Sequence, residues 1–137
     1  MKAVFADTFF WTALTSTNDA AHEQAVEFTY TLRTAKTITT EDVLDEYLAY
    51  FAGTRSNVRI QAGNTVADIL DNEGILVIPH SHETFLAGLE LYCARPDKGY
   101  SLTDCISMQI MRRERLSAVL TNDRHFEQEG FRALFRV

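Results

Sequence analysis

Asp7, Glu46, Asp104 and Asp123 are spread over nearly the whole chain, yet each follows or faces a segment that should bring it to one edge of a sheet. Gathering four like charges at one place contributes nothing favourable to folding. A divalent cation would explain it. Hard ions such as Mg²⁺ and Mn²⁺ take oxygen ligands, and carboxylates supply them. An ion of that kind lowers the pKa of a bound water, orients it in line with a phosphodiester and offsets charge on the leaving oxygen. Metal-assisted phosphate chemistry is therefore the leading idea, and it needs no Ser, His or Cys nucleophile.

Each acid also has an ordinary explanation. Asp7 and Asp123 can be N-caps of helical turns that start at Thr8 and Arg124. Ser101-Leu102-Thr103-Asp104 has the pattern of a capping box, with Asp104 as its N3 acid. Glu46 alone would be a surface carboxylate. Their joint placement carries the metal reading. Asp104 adds weight because it shares a helical stripe with Met108 and Met111, and a buried carboxylate needs a partner or a metal.

Helix geometry chooses among neighbouring acids. At about 100° per residue, Val43, Leu44, Tyr47, Leu48, Tyr50 and Phe51 form one apolar arc. Asp45 points nearly opposite that arc, and so does Asp42; Glu46 lies at its edge beside Tyr50. Glu46 is thus the one aimed toward the protein, with Asp45 in solvent. Glu41 belongs to the first turn, where an acid complements the helix dipole. His125, next to Asp123, could assist leaving-group protonation, but a loop or packing role is expected.

The elements that must position these residues alternate between strand and helix. Short strands are expected at residues 2–6, 37–40, 75–78, 118–121 and 133–137. Helices are expected at 19–33 (capped by Asp19 or Asn18), 41–51, 57–72, 81–94 and 101–116. Gly53, Gly74, Pro79 and the turn Pro96–Gly99 punctuate them. Strands separated by helices imply an α/β fold, a central parallel sheet covered on both faces. Sites in such sheets lie beyond the strands' carboxyl ends, where Asp7 and Asp123 fall directly.

At 137 residues the chain is expected to form a single domain, residues 1–137. Its 46% hydrophobic and 23% charged residues argue against disorder. Cys93 and Cys105 are expected to be reduced and buried, and no Cys or His pair has zinc spacing. The apolar run Ala3–Ala6 is far too short for a signal peptide or membrane span, so a cytoplasmic protein is expected. The net charge of −6 includes the four acids; without them 15 acidic residues face 13 basic ones, which neither favours nor opposes a polyanionic substrate. The basic run Arg112-Arg113-Glu114-Arg115 ends a helix and suits its C-terminal dipole.

Four segments carry a resemblance. Phe5-Ala6-Asp7-Thr8, Thr39-Thr40-Glu41-Asp42-Val43-Leu44-Asp45-Glu46, Ser101-Leu102-Thr103-Asp104-Cys105-Ile106-Ser107 and Leu120-Thr121-Asn122-Asp123-Arg124-His125-Phe126, with Gly130-Phe131, resemble the successive motifs of PIN-domain ribonucleases. The toxin components of bacterial and archaeal toxin–antitoxin pairs (VapC-like) are the members it looks most like. The resemblance implies a three-layer α/β/α sandwich around a parallel sheet. It also implies an acidic quartet of Asp7, Glu46, Asp104 and Asp123 binding Mg²⁺ or Mn²⁺, RNA as substrate, and products with 5′-phosphate and 3′-hydroxyl ends. Thr8 and Thr121 match hydroxyl positions that support the acids. An antitoxin that covers the site, and commonly a homodimer, are further implications.

Other classes fit less well. A phosphoacceptor receiver domain needs an acceptor Asp after the middle strand, but residues 75–78 run into Pro79-His80. A haloacid-dehalogenase-type phosphatase needs Asp-x-Asp after the first strand, where this chain has Asp7-Thr8-Phe9. No phosphate-cradling glycine loop is present. The alternative that stays open is a non-catalytic PIN-like module that binds RNA or protein. Phe9, Phe10, Trp11, Phe28, Tyr30, Tyr47, Tyr50 and Phe51 are expected to be mostly core, with some lining a groove for an amphipathic partner helix.

Overall fold

The computed structural model describes residues 1–136. Five strands run in chain order as β1 (Ala3–Ala6), β2 (Lys36–Thr40), β3 (Ile75–Ile78), β4 (Ala118–Leu120) and β5 (Arg132–Ala133). They form one sheet in the order β3-β2-β1-β4-β5, with every pairing parallel. Between them lie α1 (Thr8–Thr15), α2 (His22–Thr31), α3 (Glu41–Tyr50), α4 (Ser56–Asp71), α5 (His82–Ala94), α6 (Leu102–Arg113) and α7 (Arg124–Gln128). The chain moves outward from β1 to β3, then returns to place β4 on the other side of β1. Right-handed crossovers in opposite directions put helices on opposite faces, which makes the α/β/α sandwich.

β1 and β4 are the strands buried on both faces. Val4, Phe5 and Ala6 are fully buried, as are Val119 and, within 3%, Ala118 and Leu120. Their pairing, Phe5 with Val119 and Ala6 with Leu120, extended by one residue brings Asp7 opposite Thr121. The order of strands reverses between β1 and β4, so the crevice beyond their carboxyl ends is the fold's switch point.

α6 is the buried helix, with Cys105, Ile106, Ser107, Met108, Ile110 and Met111 all in the core. It packs on α5, where Gly88 permits the approach: a Cβ there would lie 2.4 Å from Ile106 Cγ1 and 3.1 Å from Ile106 backbone atoms. Arg112 and Arg113 occupy the last turn of α6, as the dipole favours.

Several expectations need correction. A full helix follows Asp7, where only a helical turn was expected. α2 begins at His22 rather than residue 19, because the Asp19 carboxylate is taken up in the preceding turn, accepting from the Ala21 N–H at 2.8 Å. The last strand is Arg132–Ala133; Leu134 and Phe135 turn away from it, and Val137 lies outside the described residues. Cys93 is exposed, on the outer face of α5, while Cys105 is buried. No helix among the described residues is long and apolar enough to cross a membrane.

Candidate active site

Asp7 sits at the join of β1 and α1 as the N-cap residue, but its side chain makes no cap hydrogen bond. Instead Oδ2 accepts from Thr121 Oγ1 at 2.9 Å. Thr121 Oγ1 in turn accepts the Asp123 backbone N–H at 3.2 Å, so one hydroxyl ties the ends of β1 and β4 together. Asp7 is 6% exposed. Burial, and next the charge of Asp104, push its carboxyl up to about 7; the Thr121 and Thr8 hydrogen bonds oppose this, and Glu46 adds to it.

Glu46 reaches the same place from α3. Thr8 Oγ1 donates to its Oε1 at 2.5 Å, which fixes the carboxylate against the start of α1. Asp45 next to it is exposed, as the helix geometry predicts. Asp42 departs from that geometry. Its side chain is only 15% exposed because His80 Nδ1 lies 2.9 Å from Oδ1, while Glu41 Oε1 accepts the His80 N–H at 2.7 Å. The loop after β3 thus covers the first turn of α3. Val43, Leu44, Tyr47 and Phe51 form the buried part of the apolar arc, whereas Leu48 and Tyr50 at its edges are exposed.

Asp104 meets both readings at once. The capping box is present: Ser101 N donates to Asp104 Oδ2 at 3.1 Å and Asp104 N donates to Ser101 Oγ at 3.0 Å. The same side chain is 14% exposed and turned toward the other acids. Burial first raises its pKa, the Ser101 N–H bond resists, and the charges of Asp123 and Glu46 raise it further.

Asp123 caps α7, with Oδ1 accepting from the His125 N–H at 2.9 Å. The His125 ring returns toward the acids, its Nδ1 3.3 Å from Asp123 Oδ1 and 3.7 Å from Asp104 Oδ2. Asp104, Asp123 and His125 each offer one ligand atom within 4.8 Å of the others. Sequence reasoning favoured a loop or packing role for His125; its closeness to Asp104 depends on how α6 and α7 meet, which no local spacing reveals.

A second network stands behind this corner. Glu129, 4% exposed, accepts from Arg95 Nε at 2.8 Å, Arg112 at 2.7 Å and the Tyr100 hydroxyl at 3.0 Å. Burial alone would raise its pKa, but the hydrogen bonds from Arg95, Arg112 and Tyr100 bring it down to about 2. Tyr100 then packs edge-to-face on His125, with ring centroids 5.3 Å apart. Nothing in the local pattern of Arg95, Arg112 and Glu129 pointed to this bridge.

A cavity of about 730 Å³ lies elsewhere, between α1, α2 and α4, and none of the four acids lines it. Phe10, Trp11, Phe28, Leu32 and Ile69 are among its walls. Apolar walls suit a protein side chain, whereas the convergent carboxylates mark the place where chemistry is possible. Cys105 is no competing nucleophile: burial, and secondarily Asp104, push its thiol up to about 11.

The acids fit a cation. Among the described residues no Lys or Arg pairs with any of the four, so no permanently charged side chain there balances them. Oxygen donors of this kind suit Mg²⁺ or Mn²⁺.

No protein-family model and no curated protein matches the sequence. Solved structures do. VapC20 of Mycobacterium tuberculosis, described as a sarcin–ricin loop cleaving toxin, aligns with a TM-score of 0.81 at 23% identity over 93% of this chain and 95% of its own. VapBC2 of Rickettsia felis, solved bound to a DNA fragment from its promoter, gives 0.67 at 12% identity, covering 96% of each chain. FitAcB of Neisseria gonorrhoeae gives 0.68 at 12% identity, over 95% of this chain and 94% of its own. The agreement covers more than nine-tenths of both chains in each case, and the chain has the PIN-like fold.

Proposed function

We propose that the chain is a metal-dependent ribonuclease that hydrolyses RNA phosphodiester bonds at Asp7, Glu46, Asp104 and Asp123, and that it acts in the cytoplasm as the toxin of a toxin–antitoxin pair. The observation that carries this reading is the Asp7 carboxylate, buried, bonded only to the Thr121 hydroxyl and left without a Lys or Arg partner among the described residues. Such an arrangement is unfavourable unless a cation completes it.

Asp7, Glu46, Asp104 and Asp123 would hold Mg²⁺ or Mn²⁺ between them. When bound, the ion supplies an activated water and offsets charge on the phosphate oxygens. The chain's own residues prepare the place. Thr8 orients Glu46, Thr121 orients Asp7 and links it to the Asp123 backbone, and Ser101 holds one oxygen of Asp104 while leaving the other free. Positioning of this kind is a large share of what phosphodiester hydrolysis asks of a protein.

Partners follow from the same reading. An antitoxin is proposed because the resemblance to toxin components implies one, and VapC20, which shares the fold, is described as a toxin. The apolar groove between α1, α2 and α4 suits an amphipathic helix. A homodimer is proposed as well. The second reading, a PIN-like module that binds RNA or protein without cleaving it, is disfavoured by the retained carboxylates.

The experiment is incubation of purified protein with end-labelled RNA and Mn²⁺ or Mg²⁺. The reading predicts fragments with 5′-phosphate and 3′-hydroxyl ends. RNA retained by the protein but left intact would favour the binding module.

A further inference from the structure

We propose that His125 supplies a nitrogen ligand, through Nδ1, to the cation held by the acids, so that the site prefers transition-metal ions over Mg²⁺. The inference rests on the reading of those acids as a cation site and adds a fifth residue to it.

Three observations point the same way. His125 Nδ1 is buried and has no hydrogen-bond partner among the described residues, although the ring as a whole is 27% exposed. A buried ring nitrogen without a partner is costly. It lies 3.3 Å from Asp123 Oδ1 and 3.7 Å from Asp104 Oδ2. Two donors that each sit about 2.1 Å from one ion, at right angles or tetrahedrally, are about 3.0–3.4 Å apart. The separation from Asp123 already falls in that range, and that from Asp104 lies just outside it.

The ring is also held in place. Tyr100 meets it edge-to-face at 5.3 Å, and the Tyr100 hydroxyl is fixed by Glu129, itself clamped by Arg95 and Arg112. On the other side the ring lies over Gly99, where a Cβ would come within 3.5 Å of Nε2. Packing thus fixes the orientation of the ring that carries the unpartnered nitrogen, as surroundings orient the ligands of a metal. With Nδ1 facing the acids, the proton of the neutral imidazole belongs on Nε2.

The consequence is selectivity. Mg²⁺ favours oxygen donors, whereas an imidazole nitrogen adds more to the affinity of Mn²⁺ and the later first-row ions. Removing it should weaken those ions and leave Mg²⁺ little changed.

The test uses purified protein and Mn²⁺ as probe. Pulsed electron paramagnetic resonance of Mn²⁺ in the wild type should show coupling to a directly bound nitrogen. That coupling should vanish in His125→Ala, with Mn²⁺ affinity lower by at least about tenfold, the loss that even the supporting partners of ligands produce. Asp104→Asn should weaken Mn²⁺ and Mg²⁺ alike. Mn²⁺ that binds the wild type, weakens with Asp104→Asn and shows no nitrogen coupling would overturn the histidine ligand while leaving the acidic site intact. A wild type that binds neither ion would overturn both. Because the wild-type spectrum is decisive alone, poor folding of His125→Ala cannot shelter the idea.

Discussion

Thr121 Oγ1 donates to Asp7 Oδ2 at 2.9 Å across 114 residues of sequence, and accepts the Asp123 N–H at 3.2 Å. The two strand ends that flank the switch point are therefore joined by one side chain. Replacing Thr121 by Val keeps its shape and removes both bonds. The expected result is a loss of about 1–3 kcal/mol, the cost of leaving buried polar groups unpaired, together with most of the RNA-cleaving activity. Thr121→Ser should retain both. Urea denaturation and cleavage assays of the pair check this; a Val variant as active and stable as the Ser variant would remove Thr121 from the site's support.

Asp7 predicts an unusual pH dependence in metal-free protein. Its folded pKa of about 7 lies above the ordinary 3.8. An acid shifted that way binds its proton more tightly in the folded state, so its contribution is complete below the unfolded pKa and is lost as pH rises through about 7. Glu129, lowered from 4.5 to about 2, acts in the opposite sense, and what it adds is complete above 4.5 and lost as pH falls through about 2. In EDTA, the wild type should lose stability relative to Asp7→Asn between about pH 4 and about pH 7. A stability difference between them that does not change with pH would contradict the buried, charge-crowded Asp7.

Asp104 combines a cap with a crowded charge, and Asp104→Asn separates the two. Asn retains an oxygen to accept the Ser101 N–H, so most of the capping box survives. The mutual repulsion, worth on the order of 1 kcal/mol per close pair, is relieved. Near pH 8 in EDTA the variant should melt about 3 °C higher than wild type, and added Mn²⁺ should stabilise it less. A lower melting temperature in EDTA with an unchanged Mn²⁺ response would make Asp104 a cap alone.

The first four strands were legible as short apolar or β-branched runs, as at Ile75–Ile78 between Gly74 and Pro79, whereas the bounds of the last were not. The contrast between Glu46 and Asp45 was legible because helical angle alone decides it. Strand order was not, since nothing in β4 says that it pairs with β1 rather than with β3. α1 was read as no more than a turn because it is only eight residues long and rich in aromatic and threonine residues of modest helix propensity. Tyr50, at 65% exposure, shows the limit of an arc drawn from one helix, because what covers its edge depends on neighbouring elements. His125 and the Glu129 bridge arise from contacts between α6, α7 and the turn before α6, which no local pattern encodes.

The central claim is that carboxylates aimed at one point, and not acidity in general, make this chain a nuclease. Neighbouring residues on one helix offer the most direct test, since Glu46 faces the other acids and Asp45 faces solvent. The measurement is the initial rate of RNA cleavage by wild type, Glu46→Gln and Asp45→Asn, each with Mn²⁺ and with EDTA. The account predicts metal-dependent cleavage by wild type and Asp45→Asn at similar rates, little by Glu46→Gln, and none by any of them in EDTA. Undiminished cleavage in EDTA, or an Asp45→Asn rate as low as that of Glu46→Gln, would contradict it.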